Sequence, residues 1–265
     1  MKAAFCTLVF GNTQKDMAQA IPRLAAMGYD GLEFWDQYLA HADLDWLRGM
    51  MDEHRLEVVQ ICPYFDFTTS AETWRRSLRD AERYVGYAMK LRSLYIRTYT
   101  GNVGSADATP AQWEACVEGL RRVCEMGKPH GIVFPLETHQ VIHSGPNLTD
   151  TSATTLRLLG EVGMDNLVVN LQTPLVGESV FYTAEQLGTR TVMLHAHNWI
   201  GAWPRLTFLD EGDVDFTEFV RVLKSKGFDG YVSIEHGSHH PPYETAEHEI
   251  RYLKRLIAGE RRPPS

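Results

Sequence analysis

A single (β/α)₈ TIM barrel is the fold this sequence predicts, and three observations predict it. Short β-rich runs alternate with longer stretches of helical periodicity from one end of the chain to the other. The 265 residues suit one such barrel, and no linker interrupts the alternation. An open doubly wound sheet usually carries a glycine-rich phosphate turn after an early strand. Here the first run is followed only by Gly11-Asn12-Thr13.

Taken in order, the strand runs are residues 3–9, 31–35, 58–62, 93–97, 132–137, 167–171, 191–195 and 231–235, and a helical stretch follows each. The third helix places Trp74, Leu78, Ala81, Val85 and Met89 on one face. The fourth does the same with Trp113, Val117, Leu120 and Cys124, and the last with Ile250, Leu253 and Ile257. Thr69 with Glu72 and Asp215 with Glu218 have capping-box spacing, while Thr109-Pro110 offers an N-cap and a proline at the first helical position. The barrel is expected over residues 1–258, with 259–265 (GERRPPS) as a frayed tail.

Composition narrows the partners. The net charge of −8 repels phosphate backbones, so nucleic acid is disfavoured, and Arg75, Arg76 and Arg79 read as the solvated face of a helix. Cys6, Cys62, Cys116 and Cys124 form no metal-ribbon spacing and read as buried free thiols of a reducing compartment. The opening MKAAFCTLVFG reads as a strand and not as a signal peptide. No apolar stretch approaches the roughly 20 residues that span a bilayer. A soluble, cytoplasmic protein without membrane partners is expected.

A barrel of this kind works at the C-terminal ends of its strands. The fifth strand ends in Glu137-Thr138-His139, the sixth in Asn170-Leu171-Gln172, the seventh in His195-Ala196-His197 and the eighth in Glu235; Glu33 and Trp35 stand on the second. Glu137 and Glu235 could be salt-bridged rim residues. Two apolar strands that each end in a carboxylate favour a shared cation, with an oxygen and nitrogen donor set suited to Mn²⁺, Mg²⁺, Co²⁺ or Zn²⁺. His195, two residues before His197 on the same strand face, suits a hydrogen-bonded core histidine and a ligand equally.

Several of these pieces together resemble the xylose isomerase-like TIM-barrel family of sugar isomerases and epimerases, whose superfamily includes endonuclease IV. They are Met27-Gly28-Tyr29-Asp30-Gly31-Leu32-Glu33, Glu137, His195-x-His197, Gly212-Asp213-Val214-Asp215-Phe216, and Gly227-Phe228-Asp229-Gly230-Tyr231 leading to Glu235. The resemblance covers nearly the whole chain. It implies one divalent metal held by Glu, Asp, His and Glu, which map onto Glu137, Gln172, His197 and Glu235. The second position departs from the pattern: Gln172 and Leu175 stand where the family usually has Asp and, three residues later, His. A neutral amide there removes one negative charge, which weakens metal binding and makes the ion a stronger Lewis acid. The resemblance also implies a homodimer or tetramer.

The chemistry expected of such a site is proton abstraction beside a carbonyl through an ene-diolate. Glu137 and Glu235 would act as the acid–base pair of a sugar isomerase or epimerase, with Mn²⁺ the favoured ion. With His139 as base instead, the same site becomes a lyase or dehydratase of a keto-sugar, 3-keto-glycoside or inosose. Trp35, Tyr64, Phe65, Tyr99, Trp199 and Trp203 gather near the same mouth and offer faces for a sugar's C–H surface, and each could equally be packing. Glu33, Arg205 and His143 complete the expected substrate contacts; His143 also suits a solvent-exposed loop residue. Arg97 is a second cation candidate. No cluster of cations or glycine nest suggests a phosphate site, so a free sugar or polyol is expected. A DNA repair endonuclease and a non-catalytic sugar-binding barrel are the remaining classes; the first would need a basic face and further ligands.

Overall fold

The computed structural model describes residues 1–140, 146–235 and 240–259. Eight parallel strands form one sheet: β1 (Lys2–Cys6), β2 (Gly31–Trp35), β3 (Glu57–Cys62), β4 (Tyr95–Ile96), β5 (Phe134–Glu137), β6 (Leu167–Leu171), β7 (Thr191–Ala196) and, after an added antiparallel hairpin of β8 (Asn198–Trp199) and β9 (Leu206–Thr207), β10 (Tyr231–Ile234). The order is β4-β3-β2-β1-β10-β7-β6-β5. The two ends then meet: the Ile96 N–H donates to Val133 O at 3.0 Å and the Thr98 N–H to Pro135 O at 2.8 Å. That closes the sheet, so this is a (β/α)₈ barrel with no edge strand left open.

The helices between strands are α1 (Gln14–Met27), the short α2 (Asp36–Leu39), α3 (Leu44–Glu53), α4 (Ala71–Leu91), α5 (Pro110–Gly127), α6 (Ser152–Val162), α7 (Val180–Leu187), α8 (Phe216–Ser225) and α9 (Pro242–Ala258). None of the described helices is long and apolar enough to cross a membrane.

Strand periodicity sorts the side chains. Ala3 and Phe5, Leu32 and Phe34, Leu194, and Val232 and Ile234 join the helix residues in the main apolar cluster. Their alternating neighbours face the barrel axis. The lowest axial layer is small and apolar, with Ala4, Val59 and Met193. Glu33, His195 and Ser233 stand one step higher, and Glu137, Gln172, His197 and Glu235 lie toward the mouth, all buried. Gly31 lies against Val59 and the Glu57 carbonyl so closely that a side chain there would collide with both.

Several boundaries differ from the sequence expectation, for local reasons. The first strand ends at Cys6 because residues Thr7–Phe10 turn into a 3₁₀ helix. The fourth shrinks to two residues. The α4 N-cap is Ser70, boxed with Thr73, because Asp66 already accepts from the Thr68 and Thr69 N–H groups and moves the turn back by one. Met89 is exposed, since two successive four-residue steps rotate it about 80° off the face that Ala81, Tyr84, Ala88 and Leu91 keep. Thr109 and Asp215 cap as expected, and all four cysteines are free and buried. The expected tail lies, beyond Gly259, outside the described residues.

One buried acid outside the mouth gives the fold a pH signature. Glu249 in α9 accepts the Leu209 N–H at 3.0 Å through one oxygen and buries the other without a hydrogen-bond partner among the described residues. Burial, assisted by the charges of Asp210 and Glu211, pushes its carboxyl up to about 8 from an ordinary 4.5. The native chain therefore holds this proton more tightly than the unfolded chain. Its contribution to stability is full below pH 4.5 and is lost as pH rises through about 8. Each tenfold of proton affinity corresponds to about 1.4 kcal/mol. Denaturation of wild type and Glu249→Gln across this window should show wild-type stability falling relative to the variant by a few kcal/mol. Parallel curves would contradict the assignment.

Candidate active site

The axial face of five strands builds a buried line of charge. Glu33 Oε2 accepts from Gln60 Nε2 at 2.7 Å and lies 3.1 Å from His195 Nε2. The other ring nitrogen, Nδ1, lies 2.9 Å from Glu137 Oε1 and 3.5 Å from Glu235 Oε1. Glu137 Oε2 in turn accepts from Arg97 Nη1 at 2.8 Å, and Arg97 Nη2 donates to the Pro63 carbonyl at 3.0 Å. The Arg97 guanidinium rests 4.3 Å from the Trp35 ring and 4.4 Å from that of Tyr64, in the notch between them.

The electrostatics follow from these contacts. Burial alone would strip the His195 proton, but the charges of Glu235 and Glu33 and then the bonds to Glu137 and Glu33 outweigh it, raising its pKa well above 6.5. Burial would likewise raise Glu137. The Arg97 charge first, then His195, pull that carboxyl well below the usual range. Glu33 is lowered in the same way, burial being overcome chiefly by His195. His139, at the end of β5, moves the other way: burial lowers it against the charges of Glu137 and Glu235, so its ring is neutral at pH 7. Its Nδ1 is buried without a hydrogen-bond partner among the described residues.

The structure brings Glu33, Glu137, His139, His195, His197 and Glu235 to one place, with Tyr99 edge-on to His139 at 5.9 Å. Trp35 and Tyr99 are buried, whereas Tyr64 is 48% exposed. Trp199 packs against Trp203 at 5.0 Å, and Trp203 against His197 at 4.7 Å. Arg205 is exposed in the β8–β9 turn. His143 lies outside the described residues. The sequence offers Arg97 as a second cation for a substrate group, whereas the structure makes it the counter-ion of Glu137. The available signal was a charge ending an otherwise apolar strand.

A divalent cation fits this donor set. One ligand atom each from Glu137, His195 and Glu235 lie within 4.8 Å of one another. Three buried carboxylates against one guanidinium leave a charge of −2 when His195 is neutral, which a divalent ion balances. Both histidines have the outer bond typical of a ligand. His195 can donate Nε2–H to Glu33, and His197 donates Nε2–H to the Thr173 carbonyl at 2.6 Å, leaving its Nδ1 at 3.8 Å from Glu235 Oε2. Gln172 is pinned by the Thr138 hydroxyl, which accepts its backbone N–H and donates to its backbone carbonyl, both at 2.8 Å, while its side-chain Oε1 is buried without a hydrogen-bond partner among the described residues. A buried, unsatisfied amide oxygen is a ligand-ready group.

Fold and cluster together define a (β/α)₈ barrel with a carboxylate–imidazole centre at its mouth. Residues 21–256 match the xylose isomerase-like TIM barrel family, and the chain belongs to it. It is 29% identical over 186 residues to a 3-dehydroshikimate dehydratase of Bacillus anthracis; that match covers 68% of this chain and 64% of the relative, so the chain spans less than two thirds of that protein's length. The crystal structure of a probable 3-DHS dehydratase of Bacillus anthracis superimposes with a TM-score of 0.82 at 25% identity, covering 96% of this chain and 99% of that one. An L-ribulose 3-epimerase superimposes with a TM-score of 0.83 at 18% identity, covering 97% and 94%, and shares the fold.

Because Arg97 and Glu137 are both buried, removing one strands the other's charge. Arg97→Met should destabilise the protein by about 3–5 kcal/mol in urea denaturation. Adding Glu137→Gln should recover part of that loss. A cost below about 1 kcal/mol would show that Arg97 is not the counter-ion.

Proposed function

We propose that this chain is a divalent-metal-dependent enzyme that removes a proton beside the carbonyl of a small, non-phosphorylated keto-polyol, with loss of water as the outcome. The observation that carries this reading is the buried convergence of Glu137, His195 and Glu235. An ion held by Glu137, Glu235, Gln172 and the β7 histidines would supply Lewis acidity to the substrate carbonyl. The chain's own residues supply the rest.

Glu137 Oε2 is held in a charge-assisted bond to Arg97, and Oε1, beside His195 Nδ1, is the oxygen that would face the ion. A carboxylate tied this way holds position and is a poor base. His139, two residues further on, is neutral and has a buried nitrogen without a partner among the described residues, which suits the base. In the elimination, His139 takes the C–H proton, the electron pair forms the new C=C bond, and the β C–O bond breaks. The proton passes from His139 to the departing hydroxyl, which leaves as water. The partial identity to a dehydratase supports this outcome. Tyr64, with half its surface open, and Trp199 offer the apolar faces that a polyol's C–H groups prefer. The guanidinium at the cluster, Arg97, is already engaged, which disfavours a phosphorylated substrate.

Epimerisation is the second reading, because Glu137 and Glu235 stand in one cluster as a two-base mechanism requires. One assay separates them: chelated and manganese-reconstituted protein is incubated in D₂O with 3-dehydroshikimate, D-allulose and L-ribulose. Water loss supports the dehydratase, and deuterium in a product of unchanged formula supports the epimerase. Activity that survives exhaustive chelation refutes both. His139→Gln should lower kcat about 10²–10⁴-fold while metal content stays at the wild-type level. Gln172→Asp adds a charged oxygen ligand and should tighten manganese binding in calorimetry by at least about tenfold; unchanged affinity would remove Gln172 from the ligand set.

A further inference from the structure

The β8–β9 hairpin carries a group that none of the chemistry above uses. The Trp203 indole Nε1–H is buried and has no hydrogen-bond partner among the described residues. Buried tryptophan N–H groups ordinarily find an acceptor, and an unsatisfied one costs about 1–3 kcal/mol. The ring lies 4.7 Å from the His197 imidazole and 5.0 Å from Trp199.

Its placement is strongly built. Across the turn, the Ile200 N–H donates to Arg205 O and the Arg205 N–H to Ala202 O, each at 3.0 Å. The Asp213 N–H donates to Trp199 O at 2.8 Å. The Asn198 amide ties the hairpin base to the Leu209 and Val214 carbonyls at 2.9 and 2.8 Å. Gly212 allows this approach, since a side chain there would run into the Asn198 amide. The chain thus fixes an indole against a histidine of the candidate centre and leaves its one polar atom unmatched.

We propose that Trp203 is a substrate-binding residue whose indole N–H donates to an oxygen of the bound polyol. The inference rests on the reading of the mouth as a polyol site. An indole N–H is a donor only, so it selects an acceptor: a carbonyl, a hydroxyl lone pair or a carboxylate. The flanking ring of Trp199 completes a surface that takes oxygen at one point and C–H groups around it.

The experiment uses magnesium-loaded full-length protein with ¹⁵N-labelled indoles, titrated with D-allulose and with 3-dehydroshikimate. The Trp203 signal is the one missing from Trp203→Phe, and the remaining five of the six tryptophans are internal controls. A bound compound should shift the Trp203 N–H, and Trp203→Phe should weaken binding and raise KM about tenfold with kcat changed less than threefold. Its melting temperature should stay level or rise, since the variant removes an unsatisfied donor. A compound that is bound or turned over while the Trp203 signal stays still overturns the proposal. So does a loss of stability in Trp203→Phe, which would reveal an internal acceptor, and so does silence toward both compounds. A Trp203 shift without turnover leaves this residue's assignment standing and removes only the reaction proposed above.

Discussion

Glu33, His195, Glu137 and Arg97 form an alternating line of charge through the barrel interior, every member almost completely buried. Charges without water are tolerable only when each is matched by a neighbour at bonding distance. That requirement constrains everything around the line. It explains why the guanidinium lies in a notch of two aromatic rings and why Gln60 turns its amide to Glu33. It also explains why the layer beneath is filled by Ala4, Val59 and Met193, which add no further polar groups.

The same constraint shapes the chemistry. A carboxylate that neutralises a fixed guanidinium becomes an anchor, and in the reaction we propose the proton is moved by a group nearby whose charge is not so tied. His139 is such a group, kept neutral by burial. Glu235 stands 3.5 Å from His195 and 3.8 Å from His197. Which glutamate is committed depends on which strand ends touch. Two glutamates at the ends of two strands look alike in a sequence; beside Arg97 one of them is committed.

The hairpin after β7 adds a second element of design. A barrel requires only a helix between successive strands, yet here a short antiparallel pair is inserted and held by a side-chain amide that bonds at four points: two carbonyls, and the Trp199 and Val214 N–H groups. Rigid support of this kind places aromatic rings beside a histidine more accurately than a free loop would.

Much of this was legible in the order of residues. Period-two runs separated by period-3.6 stretches specify eight βα units, because each pattern can bury its apolar side in only one way. That identifies the strand ends, and with them Glu33, Glu137, His139, Gln172, His195, His197 and Glu235 as neighbours of the mouth. Tertiary structure decided the rest. Closure depends on the backbone bonds from Ile96 to Val133 and from Thr98 to Pro135, and a strand pattern over residues 93–97 does not say which strand it will pair with. The partnership of Arg97 with Glu137 joins residues forty positions apart. The setting of Trp35 and Tyr64 against a cation, and the unmatched nitrogen of Trp203, likewise depend on distances of a few ångströms across strands. A sequence pattern records which face a side chain takes, but hydrogen bonds and ion pairs are set by separations that only the closed barrel defines.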